Sequence, residues 1–232
     1  MRKLLSATML VACGLLVGCG DDTGETKETS PNGEVNPQSA RSSTTTAIAG
    51  ARLALGGEGI SAANQLSALG TSALGMVGPS GSQPQGYGQV KQPAQTGVCD
   101  CDATSCTFQD CGDDASPNAF TINGSISWAG GNVVADLRYK GGDIAGSTYD
   151  FGVKMNVTAT ETSIDGTVST DGAVTAQGQN VTWDSSLLMN DIQFNASGCP
   201  QSGSLEVDAT VSYGASQSYT GKDTITFDGA GC

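Results

Sequence analysis

The stretch FTINGSISW, Phe120 to Trp128, decides how this chain is read. Phe120, Ile122, Ile126 and Trp128 fall on one side of a two-residue repeat, and Thr121, Asn123, Ser125 and Ser127 fall on the other. Side chains alternate in direction along a strand, so this pattern predicts a strand buried on one side and wetted on the other. Tyr149, Phe151, Val153, Met155 and Val157 repeat it, as do Leu205, Val207, Ala209, Val211 and Tyr213. One-sided strands separated by short turn signals, such as KGGD at Lys140 to Asp143 and TDGA at Thr170 to Ala173, favour antiparallel neighbours. The spacing predicts about eight strands between Phe120 and Asp228.

A sheet of that size must hide its apolar face by closing, folding over or receiving a helix. Upstream, residues 46–77 are rich in Ala and Leu and place Leu66, Leu69, Ala73 and Val77 at three- and four-residue spacings, one face of a helix. Gly56, Gly57 and Gly59 are expected to break that helix in two. The fold class expected is therefore mainly β: an antiparallel meander, curved or barrel-like, with the Ala/Gly-rich helical segment 46–77 packed on it. Residues 78–97, with three prolines and five glycines, read as a linker to a β domain over 98–232.

At the amino end, Arg2 and Lys3 precede an uncharged run from Leu4 to Val17. That run is too short to span about 30 Å of hydrocarbon as a permanent helix, so residues 1–18 read as a secretion signal. The run ends in LVGC, Leu16 to Cys19, and this ending resembles the lipobox of bacterial lipoproteins. The resemblance implies that Cys19 becomes the new amino terminus and carries the lipid, palmitate among its acyl chains. A competing match, LVAC ending at Cys13, leaves a shorter apolar run and is followed by Leu15 to Val17. With Gly20 rather than an acid after the cysteine, the resemblance further implies the outer membrane of a Gram-negative envelope. Residues 19–45 hold one large apolar residue, Val35, so a disordered tether is expected there. Its span would be roughly 28 Å by square-root scaling.

Acids outnumber bases 23 to 10, and removal of Arg2 and Lys3 leaves 8 bases and a formal charge of −15. Such a surface repels nucleic acid and anionic headgroups, so no nucleic-acid partner is expected. The chain has no histidine, which excludes Ser-His-Asp and Cys-His machinery and histidine metal ligands. Asp110, Asp113 and Asp114 sit in polar, turn-like sequence, where solvated surface is the plainer reading than paired glycosidase carboxylates. CGDDASPN, Cys111 to Asn118, could offer oxygens to calcium, but nothing else marks it as a site. No phosphate-binding glycine loop follows a strand. No catalytic residue, cofactor or metal is expected.

Of eight cysteines, Cys13 leaves with the signal and Cys19 takes lipid, so Cys99, Cys101, Cys106, Cys111, Cys199 and Cys232 remain, enough for three disulfides. A hairpin of Leu205 to Tyr213 with Tyr219 to Phe227, centred on Ser216, would oppose Leu205 to Phe227 and Val207 to Ile225. That register brings Cys199 near Cys232. In CDCDATSCTFQDC all three pairings stay open. A four-cysteine metal site is the competing reading, but the spacing lacks the paired two-residue gaps of zinc ribbons.

Three function classes follow. The favoured one is a non-enzymatic, lipid-anchored envelope protein with a structural or protein-contact role, its partners the membrane and an envelope protein. The alternative is a periplasmic carrier of an apolar ligand whose identity the sequence leaves unknown, by analogy with lipoprotein carriers. An enzyme is the third.

Overall fold

A computed structural model describes residues 35–71, 76–77, 96–112, 120–142, 147–176, 178–195, 200–214 and 217–229. Among the described residues nine strands form one antiparallel sheet in which every strand pairs with its neighbours in sequence, in the order β1 to β9. They are β1 (Thr96–Cys101), β2 (Ser105–Gly112), β3 (Phe120–Ala129), β4 (Asn132–Gly142), β5 (Thr148–Ala159), β6 (Ser163–Ala176), β7 (Gln179–Phe194), β8 (Pro200–Tyr213) and β9 (Gln217–Thr226). The sheet is an open meander rather than a closed barrel or a sandwich. Seven of its strands lie between Phe120 and Asp228, fewer and longer than expected, and the cysteine cluster folds as the other two.

One face is buried from β2 to β9. Ile122, Ile126 and Trp128 of β3, Phe151, Val153, Met155 and Val157 of β5, and Leu205, Val207, Ala209 and Val211 of β8 all point inward, as the alternation required. Two helices lie on this face. α1 (Pro37–Leu55) and α2 (Gly59–Ser67) are separated at Gly56 and Gly57, and Gly57 takes φ +83°, a left-handed conformation that ends the first helix cheaply. A short 3-10 turn, Ala68–Thr71, follows α2. Leu66, Leu69 and Val77 are buried as the helical spacing implied; Ala73 lies outside the described residues.

Three expectations need correction. First, α1 begins nine residues before the helical segment was expected, inside the stretch 37–45 assigned to the tether. The start is built by Asn36, whose side chain accepts hydrogen bonds from the amides of Gln38 (3.0 Å) and Ser39 (3.3 Å), with Pro37 at the first helical position. The polar run that followed looked unable to bury. It does so because Ser43, Thr44, Thr45 and Thr46 each donate a hydroxyl to the carbonyl four residues back, at 2.9 to 3.0 Å. Ser43 and Thr44 can then lie at 2% and 5% exposure without an orphaned group.

Second, the β8–β9 register is two residues from the expected one. Leu205 opposes Ile225, Val207 opposes Asp223, and Tyr213 opposes Gln217. A shift of two keeps every side chain on its face, so parity alone cannot detect it. β8 ends at Tyr213 and β9 begins at Gln217, and Phe227 falls past the end of β9, its amide donating to the Gly203 carbonyl at 2.9 Å. Third, TDGA is not a turn. Thr170 to Ala173 runs through the middle of β6, where Gly172 has a packing role described below.

Candidate functional site: the covered face

The centre of the covered face is a row of aromatic residues set by strand register. Tyr139 opposes Phe151, Phe151 opposes Gly172, and Gly172 opposes Trp183. Tyr139 and Phe151 stack with ring centroids 4.8 Å apart, and Trp183 meets Phe151 at 6.4 Å. The second contact crosses β6 because Gly172 has no side chain: a methyl group there would lie 2.6 Å from Trp183 Cζ2 and 2.5 Å from Phe151 Cβ. The glycine read as a turn signal is thus a gap through which two rings meet.

The helices seat on this row at points where glycine allows close approach. A methyl group on Gly70 would come within 2.6 Å of Phe151 Cζ, and one on Gly59 within 2.8 Å of Trp128 Cη2. Where α1 crosses α2, one on Gly50 would come within 2.7 Å of Leu66 Cδ2. Val35 and Val77 bracket the helical segment, joined by the Asn36 amide donating to the Met76 carbonyl at 2.8 Å, and both rest on Gly221 of β9. Tyr139, fully buried, donates its hydroxyl to the Ala63 carbonyl of α2 at 2.6 Å. Burial pushes its pKa well above the ordinary phenol value, because the charged form would lose its water.

Polar groups interrupt the apolar surface in three places. The hydroxyls of Thr170 and Ser185, both buried, satisfy each other at 2.9 Å. Asp223 of β9 points inward at 6% exposure. Trp183 Nε1 and the Tyr213 hydroxyl are buried without a hydrogen-bond partner among the described residues. These two residues sit on adjacent strands, Trp183 opposing Val211 and Val181 opposing Tyr213, and Tyr213 meets Tyr219 edge to face at 5.8 Å.

The opposite face is polar. Its main ionic cluster is Arg138, which bridges Asp150 on β5 and, at 2.6 Å, Asp171 on β6 by passing over Gly152; Lys140 adds a contact to Asp150 at 3.5 Å. The paired carboxylates outweigh burial and hold the guanidinium pKa above its ordinary value. With side chains 39 to 49% exposed, the Arg138 bridges organise the outer face more than they stabilise it. A shallow depression of about 200 Å³ lies between the β1–β2 turn and β3–β4, lined in part by Ser105, Ser127, Trp128 and Val134.

The four clustered cysteines form nested disulfides, Cys99–Cys111 and Cys101–Cys106. The hairpin register explains the choice. Cys101 directly opposes Cys106, and the register shift between Thr96 and Val98 brings Cys111 toward Cys99, with Cα atoms 5.3 Å apart. Asp102 organises the turn by accepting from the amides of Thr104 and Ser105, both at 2.7 Å, and these amides, Thr104 first, hold its carboxyl below the usual range. Asp110 takes φ +48° in a bulge and exchanges hydrogen bonds with Asn123. Cys19, Cys199, Cys232, Asp113 and Asp114 lie outside the described residues. Among the described residues no cluster of three or more Cys, Asp or Glu is arranged to hold a metal. Sequence reasoning passed over the Thr170–Ser185 pair and Asp223. The signal was an acid and two hydroxyls at inward parity in strands otherwise apolar there.

No protein-family model, curated protein or solved structure matches this chain.

Proposed function

We propose that this chain is a lipid-anchored protein of the bacterial cell envelope, held at the outer membrane through Cys19, and that its β domain has a non-enzymatic structural or protein-contact role. The observation that carries the reading of the domain is that its apolar face is occupied by its own helices, seated glycine against ring at Gly70 and Phe151 and locked by the Tyr139 hydroxyl on Ala63. A sheet stoppered from within offers its polar outer face and its edges to partners. The anchor rests on the LVGC ending, and acyl chains contribute about 0.8 kcal/mol per buried CH₂, so two or more hold a protein stably at the membrane. Cys19→Ser should release the protein into soluble fractions, while Cys13→Ser leaves it with the membrane; the reverse pattern refutes the assignment.

A carrier of an apolar ligand is the second reading, and one observation favours it. Trp183 Nε1 and the Tyr213 hydroxyl are buried and find no partner among the described residues, and a ligand with an apolar body and a carbonyl or ester acceptor would supply one. Titration with a fluorescent fatty acid tests it. Saturable uptake that Trp183→Phe weakens would establish the carrier; no uptake leaves the structural reading standing.

A further inference from the structure

β9 forms one long edge of the sheet. It is ten residues with no proline, and along its outer side it has no strand partner among the described residues. The bond from the Phe227 amide to the Gly203 carbonyl sets the phase of the β8–β9 ladder. Odd-numbered residues turn their backbone groups toward β8, so Ser218, Thr220, Lys222, Thr224 and Thr226 turn theirs away from the sheet. Three of these five are threonines, which suit an extended strand. Such an edge invites another chain to pair with it. The opposite edge, β1, is six residues long and broken by a register shift.

Two residues work against pairing. Outward-turned residues pair with outward-turned residues, so two antiparallel registers of β9 with a second copy overlap nine of its ten residues; in one of them Lys222 lies opposite Lys222, and like charges directly opposed disfavour it. The other, with Gly221 opposite Gly221, escapes that clash but pairs Thr224 with Ser218 and so needs the Thr224 amide. That amide is already taken: the Asp223 side chain, otherwise turned inward, accepts from it at 2.7 Å. An incoming strand would displace the carboxylate from its donor and leave it charged in a seam that excludes water.

We propose that the outer edge of β9 is a latent self-pairing surface of this chain, held closed by Asp223, which occupies the edge amide that a second copy needs in the longest registers. The inference is independent of the lipid anchor, although an anchor that crowds copies on a membrane makes the closure more consequential. The test is sedimentation velocity on the full chain with Cys19→Ser, so that no acyl chain contributes to association. The parent should be monomeric, and Asp223→Val should strengthen dimerisation by about 100-fold or more, from one freed donor and one carboxylate no longer stranded. Adding Thr224→Pro, which removes the edge donor where proline is tolerated, should restore the monomer. A folded Asp223→Val that stays monomeric overturns the proposal, as does a dimer that Thr224→Pro leaves intact or a parent already dimeric. Should Asp223→Val fail to fold, Asp223→Ser, too short to cap Thr224, must associate in its place.

Discussion

Truncating Phe151 to alanine tests whether the covered face is a packed core. The ring is 4% exposed, stacked on Tyr139 at 4.8 Å and flanked by Tyr149 and Trp183 at 5.8 and 6.4 Å. None of its neighbours can easily fall into the space left behind. Tyr139 is tied to Ala63, Gly70 has no side chain to offer, and β5 is held on both sides by ladders to β4 and β6. Phe-to-Ala changes cost about 3 to 5 kcal/mol, more where the site cannot collapse, so about 4 to 5 kcal/mol is expected here. That is a large part of the roughly 5 to 15 kcal/mol that holds an ordinary domain. With a urea slope of about 2 kcal/mol per molar, the midpoint should fall by about 2 M. In thermal melts the loss should be roughly 10 °C. The assay is paired urea denaturation of parent and Phe151→Ala by tryptophan fluorescence and far-UV circular dichroism. A cooperative transition shifted by less than about 0.5 M, near 1 kcal/mol, would refute the reasoning and mean that the ring borders space rather than matter.

Three further outcomes follow from the same geometry. Because burial raises the Tyr139 pKa, its stabilising contribution is complete below the ordinary phenol range, about 10, and is lost as pH climbs above it. Spectrophotometric titration should therefore show one tyrosine ionising only with cooperative alkaline unfolding, and Tyr139→Phe should abolish that coupled step. Asp102 has the opposite sign: its lowered pKa means that the turn is favoured above the ordinary carboxylate range and loosened as pH falls through it, so exchange protection of the Thr104 and Ser105 amides should drop in acid and be absent in Asp102→Ala. Non-reducing peptide mapping should recover Cys99–Cys111 and Cys101–Cys106 together with a Cys199–Cys232 link. Removing the outer nested bridge should cost about 3 kcal/mol and the inner about 2 kcal/mol on the chain-entropy model.

How far the architecture was legible depended on which signal each element carries. Period-two alternation in β3, β5 and β8 announced one-sided strands, and the glycines after Leu55 announced the helix break. Residues 37–46 were illegible because their burial is not hydrophobic: a serine–threonine run reads as solvated until each hydroxyl finds the carbonyl one turn back. Parity shows a strand's face but is blind to shifts of two, so the β8–β9 register was open to sequence reasoning only to within two residues. Gly172 carried a turn's signature for a different physical reason, since backbone without a side chain serves two facing rings as well as it serves a bend. Asp223 was visible as an anomaly of parity, yet only the position of β9 at an edge gives that anomaly meaning.

The order of elements along the chain also sets an order in time. Each strand pairs only with its sequence neighbours, so the sheet can grow hairpin by hairpin through short loop closures. The helices that stopper it come first in the chain, and Ala63 waits 76 residues for the tyrosine that holds it. A polypeptide made or threaded amino end first therefore releases its stopper before there is anything to stop, and an apolar helix left waiting would be a hazard. The fully buried residues of α1 are Ala, Ser, Thr and Gly, and its larger residues Ile48, Leu53 and Leu55 pack against the core only in part. The small, self-satisfied stripe that lets α1 lie close in the finished fold is the same stripe that spares it a large apolar face while it waits in water.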